Sequence, residues 1–129
     1  FCIPAAKLGV GYGHNNTRVL MDLIGPAFAK EILYSGEPLD AARAARIGLV
    51  NHVVMADALD DFVAAFVDRL VRNAPLSLRA SNLIVNELLK DEPDYDLCVR
   101  LSEDCAASHD IHEGRRAFVG KRPPEFKGH

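Results

Sequence analysis

The segment that most constrains the fold covers residues 39–54, with the sequence LDAARAARIGLVNHVV. Asp40 is a favourable helix N-cap, because its carboxylate accepts hydrogen bonds from the free amides of the first turn. The alanines that follow favour helix and are small enough for close packing. Gly48 stands where the end of a helix needs a left-handed residue. Residues 49–54 then predict a strand covered by protein on both faces, so this unit cannot be stable alone.

The chain offers only one other candidate strand, at its first four residues. Phe1 to Pro4 has the composition of the end of a buried strand. A length of 129 residues predicts a single domain. Since two strands do not make an independently stable sheet, we expect the chain to be the C-terminal part of a larger domain.

Between these strands the sequence predicts a glycine-containing loop and two short helices. The glycines at 9, 11 and 13 lack the G-x-G-x-x-G spacing of a dinucleotide site, so they indicate close backbone approach instead. Asn16 or Thr17 is expected to cap a helix that ends before Gly25. Pro26 then suits the first turn of a second helix that ends before Gly36.

From residue 56 onward the apolar spacing predicts helices only. Asp57 is expected to cap the first of them, Pro75 to open the second and Asp94 to start the third. The last helix is predicted from about Asp110 to Val119, with Asp110 and Glu113 spaced as a capping box. The proline-rich residues 121–129 are expected to be extended.

Composition excludes several functional classes. A net charge of −3 with no basic stripe argues against nucleic-acid binding, although the last fifteen residues are cationic. No apolar run approaches the roughly 20 residues of a membrane span, and the first residues do not resemble a signal peptide. Three widely spaced cysteines predict reduced thiols in a cytoplasmic protein.

A metal site is not expected. Cys105, His109 and His112 have the spacing of one helix face, which would suit zinc. However, residues 108–110 are predicted to interrupt that helix, and the sequence provides no evident fourth ligand. His52 is interpreted as a core histidine of the predicted strand.

Four segments together resemble the second half of the crotonase (enoyl-CoA hydratase/isomerase) superfamily. They are Phe1 with Ile3, Pro4, Ala5, Ala6, Lys7, Leu8 and Gly9; Thr17, Arg18 and Leu20 with Ile24, Gly25 and Ala29; Gly36, Leu39, Asp40, Ala41, Ala44, Gly48, Leu49 and Val50; and Ser108, Asp110, Glu113 and Gly114 with Ala117, Phe118, Lys121, Arg122, Pro124 and Phe126. None of the four segments is decisive by itself, but they follow one another in the order found in that family and together span nearly the whole chain.

This resemblance implies an α/β fold, with a spiral core of repeated strand–strand–helix turns. Residues 1–55 would be the last turns of that core, and residues 56–129 a helical region for oligomerisation and CoA contact. The expected assembly is a trimer or a dimer of trimers. The expected ligand is an acyl-CoA thioester. Coenzyme A is then part of the substrate, so no separate cofactor is implied.

The resemblance also implies stabilisation of a thioester enolate by two backbone amides, which would lie outside these residues. The first of the two hydratase glutamates would lie outside them as well. The second should directly follow Pro4, but Ala5 occupies that position. Because a methyl group cannot move protons, Ala5 argues against classical hydration. His14 could supply a substitute acid or base, although a solvated loop histidine is the simpler interpretation.

At the C-terminal end the resemblance is closer. Phe118 and Lys121 resemble the ring and the ammonium that reach the adenine and the phosphate of CoA in hydratases. The alternative is that Phe118 is a core residue on the helix face and that Lys121 is a solvated cation. Two alternatives for function also stay open: a crotonase relative of other chemistry, such as an isomerase, hydrolase or decarboxylase, and a catalytically silent CoA-binding or assembly subunit.

Overall fold

A computed structural model describes all 129 residues as two compact units, Phe1–Ala58 and Leu59–His129. This division lies slightly beyond the boundary at residue 55 that the sequence predicts. No helix combines the length and the apolar character needed to cross a membrane.

The first unit is built around a small apolar core. Its elements are a 3-10 turn at Ala6–Leu8, helix α1 at His14–Ser35, helix α2 at Ala41–Arg46 and a 3-10 turn at Ala56–Ala58. Leu20, Ile24 and Ala29 of α1 are buried together with Ile47, the residue that ends α2. Partly buried apolar side chains surround this cluster: Ile3, Ile32, Leu33, Leu39 and Leu49. The core therefore joins α1 to the end of α2.

Helix α1 contains the predicted break. Gly25 has φ 78° and ψ 162°, which no helix accommodates, and Pro26 restarts the helix directly after it. The predicted start is wrong, because α1 begins at His14 rather than at residue 16 or 17. The Thr17 hydroxyl donates to the carbonyls of Tyr12 and Gly13, so it is not an N-cap acceptor.

Helix α2 begins and ends as predicted. Asp40 Oδ1 accepts a hydrogen bond from the Arg43 amide at 2.7 Å, which is an N-cap. Gly48 has φ 82°. The Gly48 amide donates to the Ala45 carbonyl, and the next amide, of Leu49, donates to the Ala44 carbonyl. This pair of bonds around a left-handed residue is a Schellman motif.

The two predicted strands are absent, so the α/β expectation is not met by the secondary structure of this chain. Phe1 exchanges two backbone hydrogen bonds with Leu39, at 2.9 and 2.7 Å, but the pairing stops there. Residues 51–53 are exposed, which includes His52, so the interpretation of His52 as a core residue is wrong. A strand needs a continuous row of hydrogen bonds to a neighbouring strand, and neither segment has one.

The second unit consists of four helices. They are α3 at Leu59–Val71, α4 at Pro75–Leu88, α5 at Tyr95–Ala107 and α6 at His109–Val119. Helix α5 packs against α4 and α6. Pro75 opens α4 as predicted, and Asp94 caps α5 by accepting from the Leu97 amide at 2.8 Å. Asp57, the predicted cap of α3, lies instead within the preceding 3-10 turn.

Burial in the second unit is unusually polar. Its buried apolar residues are two alanines, Ala80 and Ala117, whereas three carboxylates, Glu87, Asp110 and Glu113, are also buried. Helix α3 has no buried residue. Because a buried carboxylate is costly unless it is paired, each of these three groups needs hydrogen-bond partners within this unit.

Candidate functional site

Glu113 on α6 is the centre of a charged cluster. Its two carboxylate oxygens accept from the two terminal nitrogens of Arg122, at 2.6 and 3.0 Å, which is a bidentate pair. A terminal nitrogen of Arg116 donates to Oε2 at 3.3 Å, and the Glu125 amide donates to Oε1 at 3.0 Å. The Glu113 side chain is only 8% exposed. Three of these four hydrogen bonds thus come from the chain that follows α6, and the fourth comes from Arg116 within the helix.

These contacts stabilise the ionised form of Glu113. The hydrogen bonds from Arg122 and from the Glu125 amide lower its pKa from 4.5 to about 2. The same pair raises the pKa of Arg122. Both groups therefore stay charged at neutral pH.

Asp110 holds the end of the chain in a similar way. Its two oxygens accept from the amides of Lys127 and Gly128, both at 2.8 Å, and the first of these bonds is the main cause of its lowered pKa. The predicted capping box is therefore wrong, because both acidic side chains bind the tail instead of the helix start. Ser108 is the N-cap residue of α6, with no side-chain cap. We call the contacts of Asp110 and Glu113 with residues 122–128 the C-terminal tether.

Helix α6 ends in a second Schellman motif, with lysine at the left-handed position. The Lys121 amide donates to the Phe118 carbonyl at 3.3 Å, and the Arg122 amide donates to the Ala117 carbonyl at 3.1 Å. Lys121 has φ 49° and is the one non-glycine residue with positive φ. An L-residue in this conformation carries a strain of about 1–2 kcal/mol.

The two predicted CoA residues lie close in sequence at this end of α6. Phe118 is 86% exposed, and Lys121 is exposed as well. The guanidinium groups of Arg116 and Arg122 are both directed at Glu113, whereas the Lys121 ammonium lies outside that cluster. An exposed ring and an ammonium can cover a base and pair with a phosphate, respectively.

Phe118 also lines an open cavity of about 490 Å³ within the second unit. Most of its lining is apolar, from Leu76, Ile111 and Phe126, and Arg115 adds a cation. The exposed aromatic ring therefore lies at the edge of a concave apolar surface.

The two residues predicted near the catalytic chemistry lie in the first unit. Ala5 is half-buried, and its carbonyl accepts from the amides of Leu8 and Val10 at 3.1 and 3.0 Å. His14 is the first residue of α1 and is exposed. The Ala5 side chain offers no group that can exchange a proton.

Sequence reasoning missed the C-terminal tether. Glu113 and Arg122 are nine positions apart, so neither helical spacing nor a short motif links them. The available signal was a group of cations directly after a helix with acidic residues at positions 110 and 113. The acidic residues alone have the spacing of a local capping box, which is why the sequence predicts a cap there.

Comparison with known proteins places the whole chain in one family. The family model for enoyl-CoA hydratase/isomerase matches residues 1–129. The crotonyl-CoA hydratase of Syntrophomonas wolfei is 35% identical over 127 residues, which are 95% of this chain and 48% of that protein. The methylmalonyl-CoA decarboxylase of Escherichia coli is 29% identical over 141 residues, covering 100% of this chain and 51% of that protein.

Solved structures give the same picture. An enoyl-CoA hydratase/carnithine racemase from Magnetospirillum magneticum matches with a TM-score of 0.87 and 33% identity, over 100% of this chain and 48% of that one. The enoyl-CoA hydratase of Bacillus anthracis matches with a TM-score of 0.88 and 26% identity, over 99% of this chain and 50% of that one. The chain thus spans about half the length of the relatives it matches.

Proposed function

The chain belongs to the enoyl-CoA hydratase/isomerase family, and from this premise we propose that the full-length protein is an enzyme acting on acyl-CoA thioesters. The observation that carries the proposal is the family match over residues 1–129. The names of the relatives support a CoA thioester substrate, since they include a crotonyl-CoA hydratase and a methylmalonyl-CoA decarboxylase.

The proposed chemistry is stabilisation of a thioester enolate. Two backbone amides aimed at the developing oxyanion would each contribute roughly 3–4 kcal/mol to transition-state stabilisation. We assign both amides to the part of the relatives' length that this chain does not span. The first glutamate of a hydratase pair is assigned to that part as well. Residues 1–55 would then form the last turns of the spiral core.

Ala5 makes slow hydration the expected behaviour. Hydration of an enoyl-CoA needs a group that activates water and delivers a proton to the α-carbon, and a positioned acid or base contributes about 10²–10⁴-fold. With an alanine at this position, kcat/KM for crotonyl-CoA should be lower than in a two-glutamate relative by about that factor. Ala5→Glu should recover part of it, and the uncharged Ala5→Gln should not. Full hydratase speed in the wild type would mean that His14 or another residue supplies the proton.

A second candidate function is a different reaction of a CoA thioester. Ala5 favours it, because an isomerisation, hydrolysis or decarboxylation can proceed with one carboxylate elsewhere. Incubating the full-length protein with 2-enoyl-CoA, 3-enoyl-CoA and a carboxyacyl-CoA, followed by mass analysis of the products, separates these reactions. Binding of all three thioesters without conversion would indicate a silent CoA-binding subunit.

We assign CoA contact to Phe118 and Lys121. Their shared exposure at the end of α6 supports this assignment. Lys121→Ala should weaken binding of CoA more than binding of dephospho-CoA, because only CoA carries the 3′-phosphate. Lys30→Ala, which removes an exposed lysine of α1, is the matched control for net charge. Equal losses for both ligands would show that Lys121 does not serve that phosphate.

We also propose that the full-length protein is a trimer or a dimer of trimers. Helix α3 supports this, because large apolar side chains along it are exposed: Leu59, Val63, Phe66, Val67, Leu70 and Val71. Covering such a surface stabilises an assembly by the hydrophobic effect. Sedimentation equilibrium should give a mass that is a multiple of three chains, and a stable monomer at micromolar concentration would contradict the proposal.

A further inference from the structure

The lysine at the left-handed position of the α6 terminus needs an explanation. A Schellman motif commonly has glycine at this position, as α2 does at Gly48. In α6 the glycine is one residue earlier, at Gly120, and has an ordinary helical φ of −76°. Strained residues persist only where the surrounding structure holds them, and they cluster at functional sites.

Arg122, directly after Lys121, is what holds the strained turn. Its bidentate pair with Glu113 connects the middle of α6 to the first residue beyond the turn. The Glu125 amide adds a third bond to the same carboxylate, three residues farther along the tail. Because Glu113 is fixed on the helix, these bonds restrict the backbone on the C-terminal side of Lys121.

We propose that Glu113 is a positioning residue for phosphate recognition: by binding Arg122 it holds the left-handed turn that directs the Lys121 ammonium toward the 3′-phosphate of CoA. This inference rests on the proposed CoA contact of Lys121. A long side chain on a fixed backbone loses less freedom when its ligand arrives, so its contact contributes more to affinity.

Glu113 acts through Lys121 rather than on the ligand. Its side chain is only 8% exposed, and hydrogen bonds from Arg122, Arg116 and the tail backbone occupy its oxygens. A carboxylate would also repel a phosphate. Its effect on CoA binding should therefore disappear when the lysine is absent.

The test measures dissociation constants of CoA and dephospho-CoA by calorimetry on the full-length protein. Glu113→Gln should weaken CoA binding by between about twofold and tenfold, the range for immobilising one long side chain, and leave dephospho-CoA binding nearly unchanged. We call the ratio of the dissociation constants for dephospho-CoA and CoA the discrimination between the two ligands. The double variant Glu113→Gln with Lys121→Ala should lose no more discrimination than Lys121→Ala alone. Glu103→Gln on α5 is the matched control, because it makes the same change at an exposed position.

The outcomes separate this inference from the proposed function. If Lys121→Ala leaves discrimination between the two ligands unchanged, the CoA role of Lys121 fails and the inference fails with it. If Lys121→Ala reduces discrimination but Glu113→Gln does not, or weakens both ligands equally, only the inference is overturned. Should Glu113→Gln not fold, Arg122→Lys provides the test, since it keeps the charge but loses the bidentate geometry. Unchanged discrimination in Arg122→Lys would likewise overturn the inference.

Discussion

Helices α2 and α6 end in the same hydrogen-bonded turn with different residues at its left-handed position. Gly48 adopts φ 82° in the first and Lys121 adopts φ 49° in the second. Glycine relieves the strain of this conformation, because it has no Cβ. Lysine does not, and in α6 the residues after the turn add contacts with Glu113 that restrict it. The same backbone shape thus has local support at the end of α2 and both local and tertiary support at the end of α6.

The two turns also differ in their surroundings, which are apolar at the end of α2 and charged at the end of α6. At the end of α2, Ile47 is buried in the apolar core and Leu49 packs against it. At the end of α6, Arg122 is held by the carboxylate of Glu113. Apolar burial does not respond to pH, whereas an ion pair does. We therefore expect low pH to destabilise the turn at the end of α6 more than the turn at the end of α2.

The largest effect is expected from removing the Glu113 charge. Because its pKa is lowered in the folded state, its contribution to stability is complete above pH 4.5 and is lost as the pH falls to about 2. Glu113→Gln should therefore show the largest drop in melting temperature at neutral pH. The difference from wild type should shrink on acidification.

Melting temperatures of both proteins, measured by circular dichroism at several pH values from neutral to pH 2, check this expectation. Some acid sensitivity should remain in the variant, because the pKa of Asp110 is lowered too. Glu103→Gln serves as the control. Wild-type and Glu113→Gln melting curves that stay equally far apart at every pH would contradict the assignment.

The next largest effect is expected at the end of α2. Gly48→Ala places a Cβ at φ 82° and should reduce the free energy of unfolding by about 1–2 kcal/mol. The strain is conformational, since the added Cβ would lie 3.8 Å from its nearest neighbour, the Leu23 carbonyl oxygen. Gly11→Ala is the matched control, because Gly11 has open space around it and no positive φ. If urea denaturation gives the same free energy of unfolding for both variants, the left-handed conformation is not the reason that position 48 requires glycine.

The smallest effect is expected from making the two turns alike. Lys121→Gly removes the left-handed strain but adds chain entropy to the unfolded state, so the net gain in unfolding free energy should be about 0.5–1 kcal/mol. The same variant should lose discrimination between CoA and dephospho-CoA. Urea denaturation together with calorimetry measures both properties. A destabilised Lys121→Gly would mean that the lysine side chain stabilises the turn.

Features set by local interactions were predictable from sequence. The Asp40 cap, the Gly48 terminus and the break at Gly25 each depend on neighbouring residues, and the structure has all three. The strands at 1–4 and 49–54 were not predictable in this way, because a strand exists only if another strand pairs with it.

The candidate site shows the same limit. The positions of Phe118 and Lys121 followed from resemblance to the family, whereas the pairing of Glu113 with Arg122 depends on where the tail folds back. A capping box uses the same two acidic residues at the same spacing, so the local interpretation competed with the tertiary one. Acceptors bind the donors that the folded backbone brings to them, and spacing within one helix does not reveal those donors.

The left-handed lysine also has an evolutionary consequence. Lysine at position 121 strains the turn in every background, and the Glu113–Arg122 pair offsets that strain. The order in which such residues arise therefore affects whether each substitution is tolerated. If position 121 is glycine, the Glu113–Arg122 pair can arise first with little loss of stability. Lysine at position 121 is then tolerated afterward. In the reverse order, the intermediate carries the strain without support. Whether lysine is tolerated at position 121 is thus contingent on the residues at positions 113 and 122.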